Sequence, residues 1–244
     1  MKTVTYAFIV VFFTILSFQS CIIDMHGVRG NGNIVSKEIA ISDYTEIDAG
    51  GVAEIIYEQQ TVKSPYLQVN VDENIFPLLD IRVENNKLII KSKDNGNIQP
   101  SRFKIYTNSV NIERIKLAGS GEVHLKGEVN SRNMKIDLAG SGDIIADSLY
   151  CEQFDMSVAG SGTARLKGAC NNSRFAIAGS GDIKGYNFSV QDLDCKIAGS
   201  GDIQITVGRS LNANVAGSGD LKYYGSPEIV NTKIAGSGEI KKMN

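Results

Sequence analysis

Apolar and polar residues alternate on both sides of a tetrapeptide, Ala-Gly-Ser-Gly, which the chain repeats seven times. The alanines of successive copies are 18 to 21 residues apart and are Ala118, Ala139, Ala159, Ala178, Ala198, Ala216 and Ala235. Alternation with period two is typical of a strand with one buried face. A steady period of about 20 residues indicates one supersecondary unit for each copy.

Three columns of the aligned repeats are mainly apolar, and we expect them to face a core. One residue before alanine stand Leu117, Leu138, Val158, Ile177, Ile197, Val215 and Ile234. Three residues before it stand Ile115, Ile136, Met156, Phe175, Cys195, Ala213 and Thr232. Five residues after it stand Val123, Ile144, Ala164, Ile183, Ile203, Leu221 and Ile240. One repeat cannot bury its inward face alone, but stacked repeats can, so the pattern predicts an all-β, single-stranded parallel β-helix, or solenoid.

The tetrapeptide is interpreted as the corner of each turn of this solenoid. Glycine tolerates positive φ and close backbone approach, and serine can bond to backbone groups near it. A phosphate-binding loop is needed only once, ahead of a helix, so seven copies between strands argue against that alternative. The prediction places Gly140, Gly160 and Gly179 along one straight file.

Residues 33–244 are predicted to be a single β-helix domain. Its first part, 33–115, is strand-like but less regular than the seven-rung repeat of 115–244. We expect the first part to form an irregular β cap on the N-terminal end of the rod, because a bare apolar end invites aggregation. At the other end, Lys241 and Lys242 supply charge that discourages edge-to-edge pairing.

Two stretches of the first part carry recognisable signals. Residues 47–55 contain Gly50 and Gly51 between apolar positions and are interpreted as an early, degenerate corner. Residues 81–90 place the turn-forming Asn85 and Asn86 between two apolar runs, which predicts a hairpin.

The N-terminus is predicted to be a lipoprotein-type signal peptide, residues 1–20. The apolar run 7–16 is too short to span a bilayer and suits a secretory signal. Cys21 follows Ser20, as at a bacterial lipoprotein processing site, so Cys21 is expected to be the lipid attachment residue and 21–32 a tether. The alternative is an ordinary signal peptide in which Cys21 is incidental. In either case the mature chain is expected outside the cytoplasm.

Resemblance to a known family is carried by the string VDENIFPLL at 71–79 and by IRVENNKLIIKS at 81–92, together with the array of AGSGD corners. The combination resembles the putative auto-transporter adhesin head domain family, also called the GIN domain, over about residues 33–240. The resemblance implies a right-handed β-helix in lipid-anchored or secreted envelope proteins of Gram-negative bacteria. It implies no catalytic or ligand residues, and the adhesin label is itself an inference for the family.

An acidic column follows the corners, four residues after alanine. It contains Glu122, Asp143, Thr163, Asp182, Asp202, Asp220 and Glu239. One interpretation is a calcium or saccharide groove, with Asp182, Asp202 and Asp220 as the candidate metal ligands, because hard cations bind clustered carboxylates. The preferred interpretation is a solvated ladder of mixed charge, since lysine and arginine occupy the column two residues further on and the acids can accept backbone N–H groups. No metal or cofactor is therefore expected.

The cysteines suggest one further bond. Cys151 and Cys170 each stand eight residues before an alanine, so the stacking makes them neighbours within the range of a disulfide. The preferred interpretation is a pair of small buried thiols, because in-register parallel neighbours often have poor disulfide torsions. Cys195 lies in an inward column and is expected to be an inert core thiol.

Composition restricts the function. The net charge is −2, with 25 basic and 27 acidic residues, so no basic footprint for nucleic acid is present. Only two histidines occur, His26 and His124, and repeated near-identical rungs leave no distinct rung for catalysis. We therefore expect a non-enzymatic envelope protein, anchored by lipid to the outer membrane, on its periplasmic or its surface side. Its rigid surface would face a protein or glycan partner, as an adhesin or structural module.

The alternative function is a polysaccharide-binding or polysaccharide-cleaving β-helix. Such proteins use a lateral groove with acids and aromatic residues. The absence of tryptophan weakens this alternative, although Tyr223 and Tyr224 could serve as a stacking surface.

Overall fold

The computed structural model describes residues 27–60, 64–93 and 96–244. Strands make up 73% of it and helix 2%, and the strands form a β-solenoid of about six turns, so the predicted fold class is confirmed. Within the described ranges, no helix has the length and apolar character needed to cross a bilayer. The predicted signal peptide and Cys21 lie outside the described residues.

The strands follow one another along the chain with short connections. Those of the first part are β1 (Val28–Arg29), β2 (Ile34–Ile39), β3 (Glu46–Gly51), β4 (Glu54–Gln59), β5 (Leu67–Asp72), β6 (Leu79–Glu84), β7 (Lys87–Ser92), β8 (Ile98–Gln99) and β9 (Phe103–Ser109). Those of the repeat are β10 (Arg114–Gly119), β11 (Glu122–Gly140), β12 (Asp143–Gly160), β13 (Thr163–Gly179), β14 (Asp182–Gly199), β15 (Ile203–Gly217), β16 (Leu221–Tyr224), β17 (Ile229–Gly236) and β18 (Ile240–Lys242). A 3₁₀ turn, Phe76–Leu78, precedes β6.

Successive repeats pair in parallel and in the predicted register. Ala118 pairs with Ala139, and the corner glycines Gly140, Gly160 and Gly179 are successive partners in one file. The corner is held by the turn before it, because the backbone N–H groups of Ser141 and Gly142 both donate to the carbonyl oxygen of Gly119, at 2.9 and 3.0 Å. The corner interpretation of the tetrapeptide is therefore confirmed.

The core runs through the centre of the solenoid and contains the three predicted columns of every turn but the last. Three aromatic rings meet in the middle of it. Phe154 packs edge-on against Phe175 and Phe188, with ring centroids 5.4 and 5.6 Å away. Each such buried side chain contributes about 1.5–3 kcal/mol, which offsets the entropy lost when the repeats become ordered.

The first part of the chain covers the N-terminal end of the rod. Gly50 pairs with Ala118 and Gly51 with Gly119, so the degenerate corner is the first corner of the solenoid. Strand β7 then lies parallel on β3 and β9 lies parallel on β4, while β2, β5 and β6 close the sheet with antiparallel pairs. The predicted hairpin joins β6 to β7, and Asn85 and Asn86 occupy its turn with φ of 52° and 59°.

Asp72 holds this cap together and is completely buried. Its Oδ1 accepts hydrogen bonds from the backbone N–H of Gly32 at 2.7 Å and from Oγ of Ser101 at 2.6 Å, and its Oδ2 accepts the Ser101 N–H at 2.7 Å. Burial raises the pKa of Asp72, but the hydrogen bonds outweigh it and lower the pKa to about 2. The carboxylate therefore joins three separate segments of chain.

The C-terminal end is open in contrast. Strand β17 pairs with β15, and all eight of its residues are exposed. Val230 and Ile234 continue inward columns but are 46% and 48% exposed. Lys241 and Lys242, expected to protect this end, belong to β18 beside it.

Candidate functional site

The acidic column forms a hydrogen-bonded ladder along one edge of the solenoid, in two runs: Asp143 to Thr163, and Asp182 to Glu239. Oδ1 of each aspartate accepts the backbone N–H of the next acid in the column: Asp182 from Asp202 at 3.1 Å, Asp202 from Asp220 at 2.8 Å, and Asp220 from Glu239 at 2.9 Å. Asp143 accepts the N–H of Thr163 in the same way, at 3.2 Å. These carboxylates therefore extend the backbone ladder at a corner, where the strand hydrogen bonds are interrupted.

Cations from the neighbouring column balance the ladder. Arg165 lies 3.0 Å from Asp143, Lys184 lies 3.5 Å from Asp182, and Lys222 lies 3.1 Å from Asp220. The geometry is that of a mixed-charge ladder, and each aspartate already has an N–H donor. Among the residues that the structure describes, no group of three or more histidine, cysteine or acidic side chains is arranged to hold a metal ion.

Cys151 and Cys170 are register partners on β12 and β13, as the stacking predicts. Both are free thiols in the structure. Cys170 also donates from Sγ to the carbonyl oxygen of Asn172 at 3.3 Å. Cys195 is free and 1% exposed, within the core.

His124 contacts an acid that sequence reasoning did not pair with it. Its Nε2 lies 3.0 Å from Oδ1 of Asp147, one turn further along. Burial raises the pKa of Asp147, but His124 and the N–H of Gly127 outweigh it and lower the pKa. Asp147 thus has two partners, His124 and Gly127. It lies at the border of a surface depression near Tyr186.

The register shifts after the corner in each neighbouring pair of strands from β11 to β15, and the shift is largest in β14. In β14 the register against β15 shifts between Gly185 and Ser189, so that residues 186–188 bulge outward. The side chain of Phe188 points back into the core and is fully buried. It lies next to Gly185, because a Cβ added to Gly185 would stand 3.4 Å from the Cβ of Phe188. The bulge leaves Tyr186 half-buried on the outer surface of the solenoid.

Tyr186 is paired with an aromatic residue from a later turn. Its ring lies edge-on to that of Tyr224, with centroids 4.9 Å apart and planes at 68°. The backbone of the bulge is fixed as well, because Oγ1 of Thr206 donates to the carbonyl oxygen of Tyr186 at 2.8 Å. Sequence reasoning instead grouped Tyr223 with Tyr224, but Tyr223 is 8% exposed and faces the core.

A depression of about 340 Å³ adjoins Tyr186, and we call it the Tyr186 depression. Its polar and aromatic lining is Asp147, Arg165, Lys167, Lys184, Tyr186, Asn187 and Gln204, and Ile145 lies beside them. A second depression, of about 310 Å³, lies on the strands before the corners, with Ser157 and Ala176 among lysines, arginine and aspartates. The first combines an aromatic surface with three cations, of which Arg165 and Lys184 are paired with acids of the ladder. The second carries balanced charge without an exposed aromatic ring.

Comparison with known proteins identifies the family. The family model described as "Putative auto-transporter adhesin, head GIN domain" matches residues 43–227. No curated protein matches significantly.

Three solved structures share the fold over most of this chain. A putative adhesin from Bacteroides fragilis NCTC 9343 is 28% identical, with a TM-score of 0.84, over 89% of this chain and 100% of its own. A putative lipid binding protein from Parabacteroides distasonis ATCC 8503 is 34% identical, with a TM-score of 0.74, over 89% and 99%. A putative adhesin from Parabacteroides merdae ATCC 43184 is 25% identical, with a TM-score of 0.72, over 89% and 99%. The chain therefore belongs to the family of putative auto-transporter adhesins with a head GIN domain.

Proposed function

We propose that the protein is a non-enzymatic component of the bacterial cell envelope that presents the sides of a rigid β-solenoid to a partner. The observation that carries this proposal is the parallel pairing from β3 through β17 around a filled core, in which the corner residues of successive turns stay in register. Such a rod loses little conformational freedom when a partner binds its side, which favours affinity. Membership of a family of adhesins supports the same role.

The anchor in this proposal is a lipid on Cys21, which would hold the rod at the outer membrane. The observation that supports it is the apolar run ending in Ser20-Cys21. The test is expression in a Gram-negative host fed radiolabelled palmitate. Label in the full-length chain and its absence from Cys21→Ser supports the anchor, and equal label in both, or label in neither, contradicts it.

A saccharide-binding role is the second candidate, and the Tyr186–Tyr224 pair is the observation that favours it. Binding and cleavage are separated by exposing the full-length protein to a glycan array and then assaying the same glycans for new reducing ends. Retention of a glycan without new reducing ends supports a binding module. Release of reducing ends, above the level of a heat-unfolded sample, contradicts the non-enzymatic role.

A further inference from the structure

Cys151 and Cys170 form a pair of thiols on adjacent turns of the solenoid, one on β12 and one on β13. From their spacing and their surroundings we infer that the pair binds one soft monovalent metal ion, of the Cu(I) class, between its two sulfur atoms. The inference goes beyond the proposed function, because it does not depend on what the sides of the solenoid bind. It is also independent of the acidic column and its hard oxygen ligands.

The spacing of the two strands suits a metal ion better than a disulfide. Register partners on neighbouring strands stand about 4.8 Å apart, with their side chains on the same face of the sheet. A disulfide requires the two sulfur atoms to approach to about 2.05 Å. A metal–thiolate bond is about 2.3 Å long, so two such bonds in a straight line span about 4.6 Å. Neighbouring cysteines in one column therefore match a linear sulfur–metal–sulfur unit.

The surrounding register holds this separation fixed. Leu149 pairs with Gly168 on one side of the cysteines, and Gln153 pairs with Asn172 on the other. A Cβ added to Gly168 would clash with the carbonyl oxygen of Leu149, so the backbones of the two turns touch beside the pair. A site that is fixed before its ligand arrives loses little conformational freedom on binding.

A buried hydroxyl next to Cys170 has no hydrogen-bond partner. Ser173 is 3% exposed, and its Oγ is unpartnered among the described residues. The pKa of the Cys170 thiol is lowered to about 7, chiefly by Cys151 and, against the effect of burial, also by the Ser173 hydroxyl. As a thiol, Cys170 donates to the carbonyl oxygen of Asn172, whereas a metal-bound thiolate only accepts. The Ser173 O–H can then donate to that sulfur, and hydrogen bonds to a ligand atom strengthen metal binding.

The number and type of the ligands select the metal. Thiolates favour soft ions such as Cu(I), whereas a structural zinc ion takes four ligands. In the part of the chain that the structure describes, no cluster of three or more histidine, cysteine or acidic side chains could complete a zinc site. Cys151 is half-buried and Asn171 is exposed, so the ion can enter from the side of the rod. Each thiol releases its proton to water as its sulfur binds the ion, and no atom changes oxidation state.

The experiment measures Cu(I) binding by the full-length protein, which is first reduced and then kept free of oxygen. Cu(I) is supplied as its acetonitrile complex in competition with bicinchoninate, whose Cu(I) complex is coloured. The starting chain carries Cys21→Ser, so that the N-terminal cysteine does not contribute. One equivalent of Cu(I) should bind, and X-ray absorption should show two sulfur neighbours. The ion should also raise the melting temperature, because it binds the folded protein.

Substitutions in the pair should abolish this binding without loss of the fold. Cys151→Ser and Cys170→Ser should each weaken Cu(I) binding by more than about 100-fold, since each removes one of two ligands. The column accommodates serine, because Ser131 occupies it one turn earlier and donates from Oγ to the carbonyl oxygen of Asn133 at 3.1 Å. The matched control is Cys195→Ala, which removes a buried thiol outside the pair and should leave Cu(I) binding unchanged.

Ser173→Ala separates metal binding from stability. It should weaken Cu(I) binding about tenfold. It should not lower the melting temperature of the metal-free protein, because the hydroxyl that it removes has no partner there. Three results would overturn the inference: the protein takes no Cu(I), zinc binds as tightly as Cu(I), or Cys195→Ala weakens Cu(I) binding as much as Cys170→Ser does.

Discussion

Gly140 lies so close to Gly119 that a Cβ added to Gly140 would stand 2.4 Å from the carbonyl oxygen of Gly119. The same oxygen accepts the N–H groups of Ser141 and Gly142, so it cannot move away without loss of the bonds that join the two turns. The backbone of Gly140 also has φ +114°, a conformation that L side chains rarely adopt. Two separate constraints therefore require glycine at this corner.

Gly140→Ala should lower the free energy of unfolding by more than about 2 kcal/mol, because it adds a backbone clash to the strain of positive φ. Urea unfolding followed by circular dichroism gives the comparison. The matched control is Gly127→Ala: Gly127 has φ +74° but no atom within 4 Å of an added Cβ, so it carries strain alone. Equal costs for the two substitutions would show that close approach of turns does not explain the glycine.

The same inward column should respond differently in the middle and at the end of the rod. Ile197 is 2% exposed and Ile234 is 48% exposed, although both precede an Ala-Gly-Ser-Gly corner. Ile197→Ala should cost about 2–4 kcal/mol through the cavity it leaves, and Ile234→Ala less than about 1 kcal/mol. Chemical unfolding measures both. A large cost at Ile234 would mean that another chain or segment covers the C-terminal end.

Asp72 should make stability depend on pH. Its pKa in the folded protein is about 2, against an ordinary value of 3.8, so the ionised carboxylate favours the folded state. This stabilisation is complete above about pH 4 and is lost as the pH falls towards 2. Asp72→Asn should lower the melting temperature at pH 7 and flatten its decline between pH 4 and 2.

The control for Asp72→Asn is Asp155→Asn. The Asp155 side chain is 50% exposed and lies 3.7 Å from that of Arg174. Thermal melts of both variants across pH 2–7 provide the measurement. Identical pH profiles for Asp72→Asn and the unchanged protein would show that the carboxylate does not link the segments of the cap.

The cysteine pair should titrate as thiols. Cys151 and Cys170 are free register partners, and the geometry of in-register parallel neighbours disfavours a disulfide. A Cys21→Ser chain unfolded in urea without reductant should therefore show three thiols with a chromogenic disulfide reagent, from Cys151, Cys170 and Cys195. A count of one thiol, rising to three after reduction, would establish the bond that the register also permits.

Sequence periodicity predicted the solenoid because every corner needs the same small residues, and each repeat carries them as Ala-Gly-Ser-Gly. The same reasoning located Gly50 and Gly51, since a degenerate corner still needs small residues where turns touch. Asp72 was missed because its partners, Gly32 and Ser101, are distant in sequence and belong to no repeat.

Tyr186 was missed for a different reason. The alignment of repeats assumes equal spacing, and the register shift between Gly185 and Ser189 breaks that spacing by three residues. A signal was nevertheless available: Gly185 stands in a column that holds Leu125, Leu166 and Ile205 elsewhere, and an apolar Phe188 follows three residues later. A glycine in a core column indicates that another side chain fills the space.

Calcium should not stabilise the acidic ladder. Each of Asp182, Asp202 and Asp220 uses Oδ1 to accept an N–H from the next turn. A bound ion would have to compete with these bonds and with the cations Lys184 and Lys222. Millimolar calcium should therefore shift the melting temperature by less than about 1 °C, as measured by scanning calorimetry against magnesium at the same ionic strength.

By contrast, Asp202→Asn should lower the melting temperature in either salt, because it weakens a charge-assisted hydrogen bond between turns by about 1 kcal/mol. A rise of several degrees with calcium, absent in Asp202→Asn, would instead show that the column is a metal site.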